Sequence, residues 1–113
     1  MGASLLLLLR QGPAAGRVAR ERLDIALMGL ALEQAVTVVF VDDGVYQLLP
    51  QADDGSGHSL LKTIRSLPLY DVRAIYVERE SLLDHRIAGV DPIARPISRA
   101  QLRDLIGAHD LVL

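Results

Sequence analysis

The sequence predicts an α/β fold: a three-layer domain with a mostly parallel sheet of about five strands and helices on both faces. Short aliphatic runs alternate along the chain with segments of helical periodicity, as in strands joined by crossover helices. The runs are apolar at consecutive positions, which is typical of strands covered on both faces. The chain has 113 residues, a length that suits one domain and is too short for two. Half of the residues (50%) are hydrophobic, which is enough to form a core. Residues 1–113 are therefore expected to form a single domain.

The aliphatic runs predict the strands in order. Residues 5–9 are five consecutive leucines, and residues 36–41 are rich in β-branched side chains. The leucine run is too short to span a membrane, and no positive charge precedes it as in a signal peptide. We therefore expect no membrane association. The later runs are residues 72–77 and 111–113, with a weaker candidate at residues 92–97.

Helical periodicity fills the intervals between these runs. The longest such segment, residues 17–34, has the spacing of a helix with one buried stripe, and its Arg and acidic residues four apart indicate a charged outer face. A second helix is expected to begin at Ser59. Ser98, with Gln101 three residues later, predicts a capping box at the start of the last helix. The shorter helices are expected at residues 59–67, 80–88 and 98–107.

The composition excludes several kinds of chemistry. The chain contains no cysteine, so it has no disulfide, no thiolate metal site and no cysteine nucleophile, and it cannot carry a persulfide. The absence of cysteine fits a reducing cytoplasm. A formal net charge of −2 does not indicate nucleic-acid binding.

Two polar motifs follow predicted strands, where open parallel sheets bind ligands. Gly12 and Gly16 delimit the turn before the first helix, where backbone N–H groups are able to bind an anion; the glycines also serve simply to turn the chain, which is the favoured interpretation. Asp42 and Asp43 are candidates for acid–base catalysis or metal binding. An Asp-Gly pair after a strand is more typical of a turn or a helix N-cap.

The other motifs predict no cofactor and no metal. Residues 55–59, with a lysine following, resemble a phosphate loop, but the glycine required directly before that lysine is replaced by Leu61. His58, His85 and His109 share no metal-ligand spacing.

The segment after the second strand is unusually apolar for a loop. Two interpretations are left open: a protein-binding patch, or a short helix packed on the core. A second apolar connection contains Tyr70. Under the first interpretation the partner-facing residues are Val45, Tyr46, Gln47, Leu48, Leu49, Pro50 and Tyr70.

Residues 43–50, reading DGVYQLLP, resemble the signature of the TusC/DsrF family. Residues 69–71, before the third strand, are similar to the same family, as are residues 12–24 and the turn at residues 89–91. The resemblance extends in order over nearly the whole chain.

The resemblance implies a DsrE-like α/β fold and a heterohexamer with homologous TusB/DsrH-like and TusD/DsrE-like subunits. Such complexes relay persulfide sulfur, either toward 2-thiouridine in tRNA or in sulfur oxidation. Some members have a cysteine just after the third strand, where this chain reads Val-Glu-Arg-Glu at residues 77–80. The expected role is therefore a non-catalytic, cytoplasmic subunit. The alternatives are a stand-alone anion- or nucleotide-binding module using Gly12 and Gly16, and an enzyme using Asp42 or Asp43 as a base.

Overall fold

The computed structural model describes residues 3–32, 34–50, 60–72 and 74–113. The predicted start of the second helix at Ser59 lies outside these residues, as do His58 and the phosphate-loop-like segment. The strands are β1 Ser4–Leu9, β2 Ala35–Phe40, β3 Ala74–Glu78, β4 Arg95–Ile97 and β5 Leu111–Val112, and the α-helices are α1 Gly16–Ala31, α2 Leu60–Ser66, α3 Arg79–Asp84 and α4 Arg99–Ala108. Short 3₁₀ helices cover Pro13–Ala15, Asp42–Leu48 and Leu67–Tyr70.

The five strands form one sheet in the order β4-β3-β2-β1-β5, and every neighbouring pair is parallel. Leu9 pairs with Phe40, and Phe40 in turn pairs with Val77. The carboxyl ends of β1, β2 and β3 therefore lie side by side. The predicted parallel sheet of about five strands is confirmed.

Alternate side chains of β1 enter two separate apolar layers. Leu5, Leu7 and Leu9 pack in one layer, to which α1 and α2 contribute. Leu6 and Leu8 pack in the other layer, which α4 covers. Continuous hydrophobicity along β1 is thus explained by burial on both faces, and the predicted helix–sheet–helix layering is confirmed.

Two helix ends show how local signals acted. The capping box at Ser98 is present, with the Ser98 hydroxyl accepting from the Gln101 N–H and the Gln101 side chain accepting from the Ser98 N–H. The predicted helix 80–88 instead ends at Asp84, because Arg86 adopts a left-handed conformation with φ 55°. The N–H groups of Arg86 and Ile87 bond back to the carbonyls of Leu83 and Leu82, respectively.

Gly44 packs directly on the end of β1. A Cβ atom at this position would lie 1.8 Å from the Leu9 carbonyl oxygen. The same carbonyl accepts a hydrogen bond from the Val41 N–H at 3.0 Å. The close approach joins the Asp42–Leu48 helix, called the 42–48 helix below, to the carboxyl end of β1.

We expect Gly44→Ala to lower the free energy of unfolding by more than about 2 kcal/mol, because backbone must move to admit the methyl group. The matched control is Gly107→Ala in α4, where the added Cβ meets no atom within 4 Å. That variant should be neutral or more stable by up to about 1 kcal/mol. Urea unfolding followed by circular dichroism measures both. Equal losses would show that the Leu9 contact is not the reason for the glycine.

Candidate functional site

Polar groups from β2 and α3 meet at the carboxyl end of the sheet. Asp42, the first residue of the 42–48 helix that follows β2, adopts a left-handed backbone conformation with φ 50°. Its N–H donates to the Ser81 hydroxyl oxygen at 2.9 Å. This bond fixes an unfavourable backbone conformation, which is characteristic of constrained sites.

Glu78 is the buried centre of the same network, with 4% of its surface exposed. It accepts from the Ser81 hydroxyl at 2.6 Å and from two nitrogens of Arg99 at 3.1 and 3.2 Å. Burial alone would raise the pKa of Glu78, but these hydrogen bonds and the Arg99 charge outweigh it and hold the pKa below its ordinary value. The carboxylate therefore stabilises the fold above that ordinary value, and its contribution is lost as pH falls through the lowered pKa.

His85 joins α3 to the 42–48 helix. Its Nδ1 lies 2.9 Å from the Ser81 carbonyl oxygen, and its Nε2 lies 2.8 Å from Asp43 Oδ1. The Tyr46 ring meets the imidazole edge to face, with 5.1 Å between centroids. The pKa of His85 is raised above 6.5, mainly by the hydrogen bond to Asp43 and secondly by the Ser81 carbonyl.

The two aspartates after β2 differ in their partners. Asp42 lies 3.8 Å from Arg10, and both side chains are more than half exposed, so this pair adds little stability. Asp43 is engaged by His85. Within the described residues, no group of three or more His, Cys, Asp and Glu side chains is able to hold a metal ion. The arrangement favours a structural role for both carboxylates.

The Gly12–Gly16 turn borders a shallow pocket lined by Arg10, Asp43 and Tyr46 among others. A Cβ on Gly12 would lie 3.1 Å from the Asp43 carbonyl oxygen, so the glycine permits a close approach between the turn and the 42–48 helix. Gly16 is the first residue of α1. The pocket is lined by one cation, Arg10, and one carboxylate, Asp43, so its charges do not select an anion, and anion binding stays an untested prediction.

The structure corrects the predicted partner-facing set in part. Val45, Gln47 and Leu48 are 0%, 2% and 0% exposed, so these side chains belong to the core and are unavailable to a partner. The reason is that the segment forms a 3₁₀ helix, whose three-residue period turns Val45 and Leu48 to the same buried side. The Gln47 amide also donates to the Gln11 carbonyl at 3.1 Å.

Four members of that set stay accessible. Tyr46 and Leu49 are half-buried, and Pro50 is exposed. Tyr70 is 61% exposed and lies beside Leu69, which is 85% exposed. Their contact with a partner remains a prediction.

Sequence reasoning missed an apolar stripe on the solvent side of α1. It runs along Val18, Ile25, Met28 and Leu32, which are 46%, 53%, 68% and 71% exposed. The spacing of seven, three and four residues was visible in the sequence. The charge pairs suggested a polar outer face instead, and of these Arg17–Glu21 is formed, at 3.2 Å.

Among the described residues, no helix is both long and apolar enough to cross a membrane.

We expect Ser81→Ala to lower the free energy of unfolding by about 1–3 kcal/mol, because it removes partners from the Asp42 N–H and from buried Glu78. Ser66→Ala is the matched control, since that hydroxyl donates to a carbonyl within its own helix; its cost should stay below about 1 kcal/mol. Urea unfolding of both variants at pH 7 measures the difference. Losses of the same size would contradict a linking role for Ser81.

Known proteins place this arrangement in a wider context. The chain is 35% identical to the TusC homolog of Pseudomonas aeruginosa, and the match covers 100% of this chain and 98% of that protein. It is 45% identical over 75 residues to the intracellular sulfur oxidation protein DsrF of Allochromatium vinosum, covering 65% of this chain and 55% of that protein.

The fold matches the crystal structure of the E. coli ychN protein with a TM-score of 0.82 at 14% identity, over 100% of this chain and 98% of that one. The model of the DsrE/DsrF-like family matches residues 3–113. Together with the full-length similarity to a TusC homolog, this match shows that the chain is a member of the DsrE/DsrF-like family, as the residues 43–50 had indicated.

Proposed function

We propose that this chain is a non-catalytic subunit of a heteromeric, cytoplasmic sulfur-relay complex, in which it binds partner subunits and carries no sulfur. Family membership and the names of its relatives support the sulfur-relay role. The absence of cysteine from the chain supports the assignment of persulfide chemistry to other subunits. The proposed partners are TusB/DsrH-like and TusD/DsrE-like subunits in a heterohexamer, serving either tRNA thiolation or sulfur oxidation.

The observation that carries the binding role is the double-sided hydrophobicity of α1. One face of this helix buries Ala19, Leu23 and Ala26 against the sheet. The stripe from Val18 to Leu32 occupies roughly the opposite face, since successive residues of an α-helix are about 100° apart. A helix that is apolar on both faces is normally covered on both, so the stripe indicates a missing partner.

The geometry of the stripe favours a helix as the covering element. Val18, Ile25 and Leu32 are seven residues apart, and Met28 lies between the last two, as in the a and d seam that packs against a second helix. The matching position between Val18 and Ile25 is Glu21, so the apolar seam is continuous only from Ile25 to Leu32. At the carboxyl end of α1, Leu27, Leu30 and Ala31 share a shallow groove with Tyr70. We call the stripe and the exposed pair beside this groove, taken together, the α1–Tyr70 surface; the two areas comprise Val18, Ile25, Met28, Leu32, Leu69 and Tyr70.

We expect Ile25→Asp and Leu69→Asp to weaken assembly with the homologous subunits at least about tenfold, because a charge in an apolar contact is desolvated without a partner. Both side chains are more than half exposed, so the fold should lose less than about 1 kcal/mol. Leu48→Asp is unsuitable for this purpose because Leu48 is fully buried. Co-expression followed by native mass spectrometry measures assembly.

The matched control is Leu83→Asp on α3, where the leucine is 69% exposed but lies outside the α1–Tyr70 surface. This variant should assemble like the wild type. Full assembly of the Ile25 and Leu69 variants would rule out the α1–Tyr70 surface as the contact. A monomeric wild-type chain in the presence of both partner types would contradict the subunit role itself.

A further inference from the structure

We propose that His85 is a pH-sensitive latch that holds Asp43 and Tyr46, both in the 42–48 helix, against the end of α3. The latch is closed when the imidazole is charged and open when it is neutral. Its link to assembly rests on the proposed function above and on the prediction that Tyr46 contacts a partner; the latch itself is a property of the isolated chain.

Two hydrogen-bond acceptors face the His85 ring. A backbone carbonyl, that of Ser81, lies 2.9 Å from Nδ1, and the Asp43 carboxylate lies 2.8 Å from Nε2. Both groups only accept hydrogen bonds at neutral pH. A neutral imidazole has one N–H and one lone pair, so it is able to satisfy one of the two. Both contacts are therefore satisfied together only by an imidazolium.

One of these two bonds stays within α3, and the other crosses to the 42–48 helix. The Ser81 carbonyl belongs to α3, one turn before His85, so that bond stays within a single helix. The Asp43 bond crosses to the 42–48 helix, as does the edge-to-face contact with Tyr46. Loss of one proton leaves a lone pair facing an oxygen, and the crossing contact is the one free to separate.

A second link between the 42–48 helix and α3 does not titrate. The Asp42 N–H donates to the Ser81 hydroxyl, at the start of the 42–48 helix. Gly44 and the buried side chains that follow it also stay in place. Opening of the latch therefore loosens Asp43 and Tyr46 locally and leaves the domain folded.

The charged groups around His85 favour the closed form. Asp43 faces the ring from the 42–48 helix, and Asp84 adds negative charge from α3 itself. From the neighbouring elements, Glu78 of β3 is occupied by Ser81, and Arg99 of α4 lies 3.9 Å from Asp84, which reduces that carboxylate's effect. Two carboxylates and a carbonyl against one distant cation stabilise the imidazolium.

These surroundings raise the pKa of His85 above 6.5, so the change of charge falls near neutral pH. A raised histidine pKa means that the stabilising contribution is complete below 6.5 and is lost as pH rises through the raised value. The side chain is 21% exposed, so protons reach the ring without unfolding.

The test is an NMR titration of the isolated chain from about pH 5.5 to about 8.5. The Tyr46 ring signals and the amide protection factors of Asp43 and Tyr46 should change with the same midpoint as His85, above 6.5, whereas the protection factors of Val45 and Leu48 should not. Protection factors, which correct for the intrinsic pH dependence of exchange, should fall by about fivefold or more on opening. His109 is an internal control because its hydrogen-bond partners, the Leu105 carbonyl in α4 and the Thr37 hydroxyl in β2, are not part of the 42–48 helix.

Two variants separate the latch from general effects of pH. Asp43→Asn should lower the His85 midpoint and uncouple Tyr46 from it, whereas His85→Gln should give low, pH-independent protection at Asp43 and Tyr46. Flat Tyr46 signals through the His85 titration, or a midpoint below 6.5, would overturn the proposal.

Assembly is measured separately by native mass spectrometry of the co-expressed complex at pH 6 and pH 8. Wild-type affinity should fall at pH 8, and His85→Gln should remove that difference. Equal wild-type affinity at both pH values would overturn the link to assembly. If no heteromer forms at either pH, the proposed function fails, and the isolated-chain titration still decides the latch.

Discussion

The contact between Gly44 and the Leu9 carbonyl is the constraint on which the carboxyl end of the sheet depends. Because Gly44 has no Cβ, the 42–48 helix lies directly on the last residue of β1. In that position its apolar side chains enter the core, while Asp43 and Tyr46 are directed at α3. The contacts of Asp43 and Tyr46 with His85 therefore depend on one backbone approach, that of Gly44 to Leu9.

The strands and the last helix could be read from the sequence because their signals are local. Five consecutive leucines indicate a strand covered on both faces, and Ser98 with Gln101 indicates a capping box. The order of the strands has no such signal, since any fully buried parallel strand shows the same apolar run. The end of α3 was misplaced for a related reason, because Arg86 adopts the left-handed conformation that glycine usually provides. Hydrogen bonds from Arg86 and Ile87 to carbonyls of the preceding turn stabilise it there.

The candidate site was less predictable because its contacts join distant parts of the chain. Asp43 and His85 are 42 residues apart, and nothing in either local segment indicates their pairing. The apolar segment after β2 admitted two interpretations, and the structure supports the packed helix for its buried residues while leaving Tyr46 accessible. The stripe containing Met28 was legible in the spacing, but charged residues beside it indicated a polar face.

The buried carboxylate of Glu78 also limits which side chains its position accepts. It receives hydrogen bonds from both Ser81 and Arg99. A cysteine at position 78 would be too short to reach both partners and would leave the Arg99 cation without its carboxylate. A thiol at that position would therefore require coordinated changes at neighbouring residues. The network thus makes a thiol at the end of β3 difficult to gain by a single substitution.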